Sequence, residues 1–461
     1  MVIRIGIDIA VRAPHQASVA DEAGVFAFSG HRFRTRLDDL ERLWDRLPHG
    51  TSPSDVEVIM EPTRNAWVPL AAWFRRKGAT VFLVPPERSA DLRAYYAKHT
   101  KSDRIDSRLL ARLPMLHPDG LHAESGLGPG DRLRRATKLH DTLTMRRSQN
   151  LARIDALLEI LGPGWHAAFN GRLSNKTPLR FLAAGYADPH TVKRLGLARV
   201  TRFLVRHSRN AWNRAEAEQI MIAARESITL WADDLDFGDL AEDIAIEARL
   251  ALQLTAELKE LDERIALLLT EVDPDGILQS VPGIGPVTAA VIAGRVGDPN
   301  RFTSLAAVRS YSGLVPSLTS SGTSGGHGGP TKRGDALLRA ALFSAADQAR
   351  KIDPQIAATY HRLMVAAGKH HTAATCTIAA TLLTRAVACW RAGTPYAIRD
   401  VDGTQLTTAE ARAIVAERYA VPPEIRAARS RLNGTGRRSK ESPSAPSTGP
   451  STRKARTPIP A

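Results

Sequence analysis

Val2-Ile-Arg-Ile-Gly-Ile-Asp-Ile-Ala10 places isoleucine at every second position, the period of a strand that buries one face. Asp8 interrupts that apolar run, and a carboxylate in such a setting is costly unless it is paired or holds a cation. Ala17 to Ala20, Gly24 to Phe28, Val56 to Met60 and Thr80 to Val84 read as further strands, short, rich in β-branched or aromatic residues and bounded by turn residues. Leu37 to Leu47 and Ala66 to Lys77 carry helical spacing between them. Strands alternating with helices over residues 1–125 predict an α/β domain.

The whole chain has 461 residues, more than one hydrophobic core normally organises, so two or three domains are expected. With 43% hydrophobic and 24% charged residues, collagen-like, disulfide-scaffold and wholly disordered classes are excluded. Lys and Arg total 63 against 48 Asp and Glu, a net charge of +15 that points to a polyanionic partner, nucleic acid first. Cys376 and Cys389 are the only cysteines, too few for a disulfide framework, and an intracellular, cytoplasmic setting is expected. With His361, His370 and His371 they match no zinc-ligand spacing, so we read all five as packing or surface residues. No signal peptide or window of roughly 18 apolar residues stands out, and no membrane partner is expected.

Beyond the first domain the character is helical. Arg132 to Leu161 reads as a long basic helix, and Pro163 to about His207 as a less regular stretch punctuated by Pro and Gly. Trp212 to Val272 reads as helix interrupted near Asp233 to Gly238. Within it Ala251, Leu254, Leu258, Leu261, Ile265 and Leu268 alternate spacings of three and four, the seam of a coiled coil. That seam serves either self-association, the favoured reading, or packing inside one chain. The expected division is 126–272 as a helical and coiled-coil region, 273–428 as a helical C-terminal domain, and 429–461 as a disordered basic tail.

Three constellations carry chemistry. Asp8 lies in the first strand, Glu61 ends a later one, and Asp103 and Asp106 stand three apart on one face of an expected helix. Hard divalent ions such as Mg²⁺ favour such carboxylates, and two ions clamp the oxygens of a phosphoryl displacement. Taken singly, each acid also reads as a turn cap or an ion-pair partner. Ser280-Val-Pro-Gly-Ile-Gly-Pro-Val-Thr-Ala-Ala290 looks like a helix-hairpin-helix turn, with Gly283 and Gly285 offering backbone amides to a phosphate; a tight turn between core helices is the plain alternative. The segment from Arg309 to Gly334, rich in Gly and hydroxyls and ending in Lys332 and Arg333, reads as a loop carrying a nucleophilic serine or as a flexible linker.

The four acids in strand, strand, helix order resemble the RNase H-like nucleases, which implies nucleotidyl transfer. Together with the Val-Pro-Gly-Ile-Gly-Pro turn, Arg301-Phe302, Tyr311-Ser-Gly-Leu-Val-Pro316, Ser321-Gly-Thr-Ser324 and Thr331-Lys-Arg-Gly334, they resemble the insertion sequence 110 family of transposases, also called DEDD transposases and related to Piv invertases. The resemblance covers roughly Val2 to Leu161 and Leu250 to Arg391. It implies a RuvC-like domain holding Mg²⁺ on Asp8, Glu61, Asp103 and Asp106, joined to a transposase domain whose serine nucleophile falls on Ser321, with Ser320 the alternative. It further implies donor and target DNA, a structured guide RNA and a nucleoid-associated bacterial protein, while the heptad seam points to a homo-oligomer (dimer or tetramer). The stretch from Pro163 to about Phe237 looks longer than in compact members.

Two rival readings remain at this level. A junction nuclease of the same superfamily would use the acids with water and need no serine, and a non-catalytic DNA-binding protein would use the turn and the charge alone.

Overall fold

The computed structural model describes residues 1–85, 102–116, 121, 123–124, 126–321, 324–331 and 334–431. The chain divides into two compact units, Met1–Gly128 and Pro129–Ala461.

The first unit runs β1 (Ile3–Asp8), β2 (His15–Ala20), β3 (Phe26–Phe33), α1 (Leu37–Asp45), β4 (Val56–Met60), α2 (Trp67–Arg76), β5 (Thr80–Leu83) and α3 (Asp103–Leu116). Its five-stranded sheet is ordered β3-β2-β1-β4-β5, with β1 antiparallel to β2 and parallel to β4. The expected alternation holds: Ile3, Ile5 and Ile7 bury one face of β1 against Leu40 and Leu43 of α1 and Leu70 and Phe74 of α2. α3 covers the other face. It lies so close to β1 that a β-carbon on Gly6 would stand 2.1 Å from the Ser107 carbonyl oxygen and 2.3 Å from the Ala111 nitrogen. Beside it the Ser18 and Ser107 hydroxyls share a 2.8 Å hydrogen bond, and Ile59 and Val84 meet Leu110 and Leu113.

β3 continues to Phe33, past the Phe28 limit read from sequence. Its pairing with β2 slips by one residue between Ala17↔His31 and Val19↔Phe28, and Gly30 there has φ +71°. The Ser29-Gly30 punctuation is a bulge inside a strand, where glycine takes the left-handed conformation at no steric cost.

The second unit is built on two long helices, α4 (Pro129–Leu161) and α9 (Phe237–Val272). Arg132 pairs with Glu271 at 2.8 Å, His140 with Asp262 at 3.1 Å and Arg153 with Glu247 at 3.1 Å, so the helices run antiparallel. Between them α5 (Gly164–Phe169), α6 (Lys176–Ala183), α7 (Pro189–Ser208) and α8 (Arg214–Trp231) fill the stretch expected to be irregular up to His207. The prolines there open helices: Pro189 is the first residue of α7, where its missing N–H costs nothing, and the Asp188 carboxylate caps the amides of His190 and Thr191. Gly196, at φ +73°, kinks α7.

The heptad seam is used within the chain. Ala251, Leu261, Ile265 and Leu268 are all buried, and α9 lies along α4 for its length. Packing inside one chain, the alternative weighed for this seam, accounts for those four positions, with α4 of the same chain helping to cover them, while Leu254 and Leu258 are half-buried. Two cores result, both spanning α4 and α9. One joins Ile154, Leu158, Trp165, Phe181, Trp212 and Ile244, and the other joins Leu133 and Ile265 to the C-terminal helices.

Those C-terminal elements are α10 (Pro286–Val296), α11 (Leu305–Ser312), β6 (Pro316–Ser321), β7 (Ser324–Pro330), α12 (Ala336–Ala349), α13 (Pro354–His361), α14 (His371–Ala392), α15 (Thr408–Arg418) and α16 (Pro423–Arg431). α14 is long and apolar enough to cross a membrane by length and composition, against the expectation of no such segment. Ala374, Ile378, Leu382, Leu383 and Val387 of this helix are buried in the core. The expected tail from Arg429 begins inside α16, and residues 432–461 lie outside the described residues.

Candidate active site

Backbone pairing decides where the acids stand. Asp8 ends β1 and pairs with Gln16, while Ile7 pairs with Met60, so Glu61 follows β4 at the level of Asp8. α3 lies with its start toward that end. A β-carbon on Gly30 would be 3.2 Å from Arg104 Cγ and 3.6 Å from Gln16 Oε1, whereas at the other end of α3 Arg112 Nη2 donates to the Gly24 carbonyl at 3.1 Å. Asp103 and Asp106, in the first turn of α3, therefore belong to the same end of the sheet as Asp8 and Glu61. Asp103 is exposed, Asp106 is 8% exposed, and Asp8 and Glu61 are half-buried. An all-carboxylate set suits a hard divalent ion by donor chemistry. Among the described residues, no three His, Cys, Asp or Glu side chains converge to metal-holding distance.

His15, passed over in the sequence, fixes the turn after β1. Its Nδ1 accepts the Ala10 N–H at 3.2 Å and its Nε2 lies 2.9 Å from the Thr35 hydroxyl. Burial, then the Arg34 charge, holds this imidazole below its ordinary pKa, consistent with a neutral ring. Its one signal in the sequence is position, at the start of the strand paired with Asp8.

In the second unit the two glycines of the 280–290 turn differ. Gly283 has φ +84°, and a β-carbon on it would stand 2.2 Å from the Ala345 carbonyl oxygen of α12. Gly283 thus serves the close approach of turn and helix, the structural role weighed against phosphate binding. Gly285 caps α10 at φ −88°, with no atom within 4 Å of a β-carbon and no side chain capping the helix start. Beside it lies an open depression of about 360 Å³ lined by Gln279 to Gly285, Ile352, Ile398 and Thr408.

The segment expected to be a loop is a hairpin. β6 and β7 pair antiparallel from Pro316↔Pro330 to Ser321↔Ser324, with Ser320 opposite Gly325. Ser321 ends β6. Gly322, Thr323, Lys332 and Arg333 lie outside the described residues, so the expected basic contact at 332–333 has no placement here. At the hairpin base Thr331 N–H donates to the Val315 carbonyl at 2.9 Å. The Tyr311 hydroxyl donates to the Arg295 carbonyl at 2.9 Å, and the Arg301 guanidinium stacks over Phe302 and Tyr311 at 4.3 and 5.0 Å. Arg301, Phe302 and Tyr311, singled out in the sequence, thus pack α10 and α11 together ahead of the hairpin.

Arg295 was missed by sequence reasoning. Its side chain is 2% exposed, pairs with Asp335 at 3.1 Å, and donates to the Arg134 carbonyl and the Thr137 hydroxyl. The histidines set aside for zinc have other uses: His370 caps α14 by accepting the Thr372 N–H, and His371 Nδ1 lies 2.7 Å from the Tyr360 hydroxyl.

An α/β unit bearing four acids and a helical unit bearing a serine hairpin correspond to two known sequence families. A transposase family of the DEDD, IS110 type matches residues 5–163, and the family described as transposase IS116/IS110/IS902 matches residues 275–361. Both are transposase families, which gives the class. The chain belongs to the IS110 family of transposases. It is 31% identical over 258 residues to an uncharacterized 43.6 kDa protein of insertion element IS110 from Streptomyces coelicolor, a match covering 55% of this chain and 61% of that protein. It is 24% identical over 347 residues to an uncharacterized 44.8 kDa protein of insertion element IS116 from Streptomyces clavuligerus, covering 75% and 84%. Over 93 residues it is 31% identical to the transposase for insertion sequence element IS1328 of Yersinia enterocolitica, covering 20% and 28%.

Proposed function

We propose that this chain cuts and rejoins DNA as the transposase of an insertion element. An RNase H-like first unit would hold Mg²⁺ on Asp8, Glu61, Asp103 and Asp106, and Ser321 would act as nucleophile. The observation that carries this reading is the placement of all four acids at one end of a five-stranded sheet, with α3 laid on its central strand. No three of these acids stand at metal-holding distance among the described residues, so holding an ion requires more than one of their side chains to turn inward. A divalent ion, when bound, supplies positive charge that offsets the charge building on the phosphate oxygens.

The serine step balances without water. The Ser321 hydroxyl oxygen bonds to phosphorus as the bond from phosphorus to the departing strand's oxygen breaks; the serine proton leaves to a base and the departing oxygen gains a proton. Attack by a hydroxyl of the strand to be joined reverses the step and restores the serine, with no net hydrolysis. Position at the end of β6, in a hairpin whose base is closed by Thr331 on the Val315 carbonyl, supports Ser321 in this role. The net charge of +15 supports DNA and a structured guide RNA as partners, in a cytoplasmic, nucleoid-associated setting.

Cleavage of DNA carrying the element's ends tests this reading. The parent chain should cut with Mg²⁺ and stop with chelator, and Asp8→Asn and Asp103→Asn should not cut at any Mg²⁺ concentration. Full cutting by both variants would overturn it.

A further inference from the structure

Between the two matched family segments, residues 164–213 carry nine Lys and Arg against one acid, Asp188, and that acid caps α7. The fold turns this composition into a surface. After the kink at Gly196, Val200 and Leu204 of α7 are fully buried, while Arg199, Arg202, Arg206 and Arg209 are exposed at spacings of three, four and three. Those spacings place Arg199, Arg202 and Arg206 on one side of the helix, along roughly 10 Å of its axis, and Arg209 follows as the residue that ends α7. α6 adds Lys176 and Arg180, both exposed, and the Thr177 hydroxyl ties α6 to the His207 carbonyl at 3.1 Å. None of these six cations is in an ion pair among the described residues, whereas Arg172 and Arg214 nearby pair with Glu216 and Glu218.

We propose that the outer face of α7, with Lys176 and Arg180 of α6, is a docking surface for the phosphate backbone of duplex DNA, the partner that the matched transposase families point to. Six like charges held on one rigid surface repel one another, and a polyanion with closely spaced phosphates relieves that repulsion while releasing its own counterions. His207 reports the crowding: burial, then Arg180 and Arg206, hold its imidazole below the ordinary range. Phe203 lies against His207 with ring centroids 4.4 Å apart and is half-buried, and no Phe, Tyr or Trp ring in α6 or α7 is exposed. Single-strand sites rely on exposed rings for base stacking, so this surface suits backbone contact to a duplex without sequence readout. The inference rests on the reading above only in taking nucleic acid as partner; binding here needs neither the acids nor Ser321.

The test is binding of the full chain to a 20-base-pair duplex DNA, the matching duplex RNA and the single strand, without divalent metal, over a salt series. Arg202→Ala/Arg206→Ala should weaken duplex binding about tenfold and lower the salt slope by about two. The loss should be at least as large on duplex DNA as on duplex RNA, and a loss confined to duplex RNA would overturn the assignment to DNA. Arg202→Lys/Arg206→Lys should restore most of the affinity, which also guards against misfolding, and the charge-matched control Lys369→Ala/Arg412→Ala should leave it unchanged. Parent-like binding by the alanine pair, equal loss in the control, no rescue by lysine, or a loss confined to the single strand would each overturn this inference alone. A parent chain that binds no nucleic acid would overturn it together with the proposed function.

Discussion

The carbonyl oxygen of Ser107 occupies the place where a side chain on Gly6 would begin: a β-carbon there would lie 2.1 Å from it. This contact seats α3 on β1 and so sets Asp103 and Asp106 at the level of Asp8. Gly6→Ala should push α3 off the sheet, with a loss of about 1–3 kcal/mol or more from overpacking. Denaturant unfolding and strand cleavage should fall together, and an unchanged variant in both would show that α3 can dock elsewhere.

The Arg295–Asp335 pair ties α10 to the start of α12, the helix that follows the β6–β7 hairpin. Arg295→Ala leaves a carboxylate, a carbonyl and a hydroxyl without their donor in a buried setting, at a cost of about 3–5 kcal/mol in denaturant unfolding. Arg295→Lys should recover only part of it, since one ammonium cannot meet three partners arranged for a guanidinium. A loss under 1 kcal/mol for alanine would show that the pair contributes little.

Asp335 also predicts a pH dependence. Burial pushes its carboxyl up, but the Leu338 amide and then Arg295 outweigh it and hold it below the ordinary range. A depressed carboxyl stabilises the fold above its unfolded pKa and loses that contribution as pH falls through its folded value. Stability measured from pH 6 downward should therefore drop below about pH 4, and Asp335→Asn should flatten that part of the curve; an identical slope in the variant would contradict the assignment.

The two turn glycines separate structure from binding. Gly283→Ala meets the Ala345 carbonyl at positive φ and should destabilise the chain by more than 1 kcal/mol. Gly285→Ala enters open space, so stability should change by less than about 1 kcal/mol while DNA affinity falls if the start of α10 holds a phosphate. Unchanged affinity in Gly285→Ala would leave the turn a purely structural device.

Much of this was legible because period and chemistry coincide. Alternating isoleucines named β1 and its buried face, and Asp8 stood out only against them. The break between α8 and α9 fell where Asp233 to Gly238 had marked it. What stayed hidden depended on partners far away in sequence. Ser29-Gly30 has the same composition as a turn and a bulge, and only the β2 register distinguishes them. Prolines between 163 and 189 punctuate helices at their starts as readily as they interrupt them. Glycine and serine from 317 to 329 lack strand propensity, although Ser321-Gly-Thr-Ser324 has a glycine-led two-residue connection suited to a hairpin. Arg295 looked like any surface arginine, because its partners come from residues 134, 137 and 335.

Mass spectrometry of the tryptic peptide spanning residues 310–332, after reaction with element-end DNA, tests the central claim most directly. A nucleotide-derived phosphodiester on Ser321, absent from Ser321→Ala and retained in Ser320→Ala, is the predicted result. Cleavage at the parental rate by Ser321→Ala, with no adduct on any residue of the chain, would contradict it and leave water as the nucleophile.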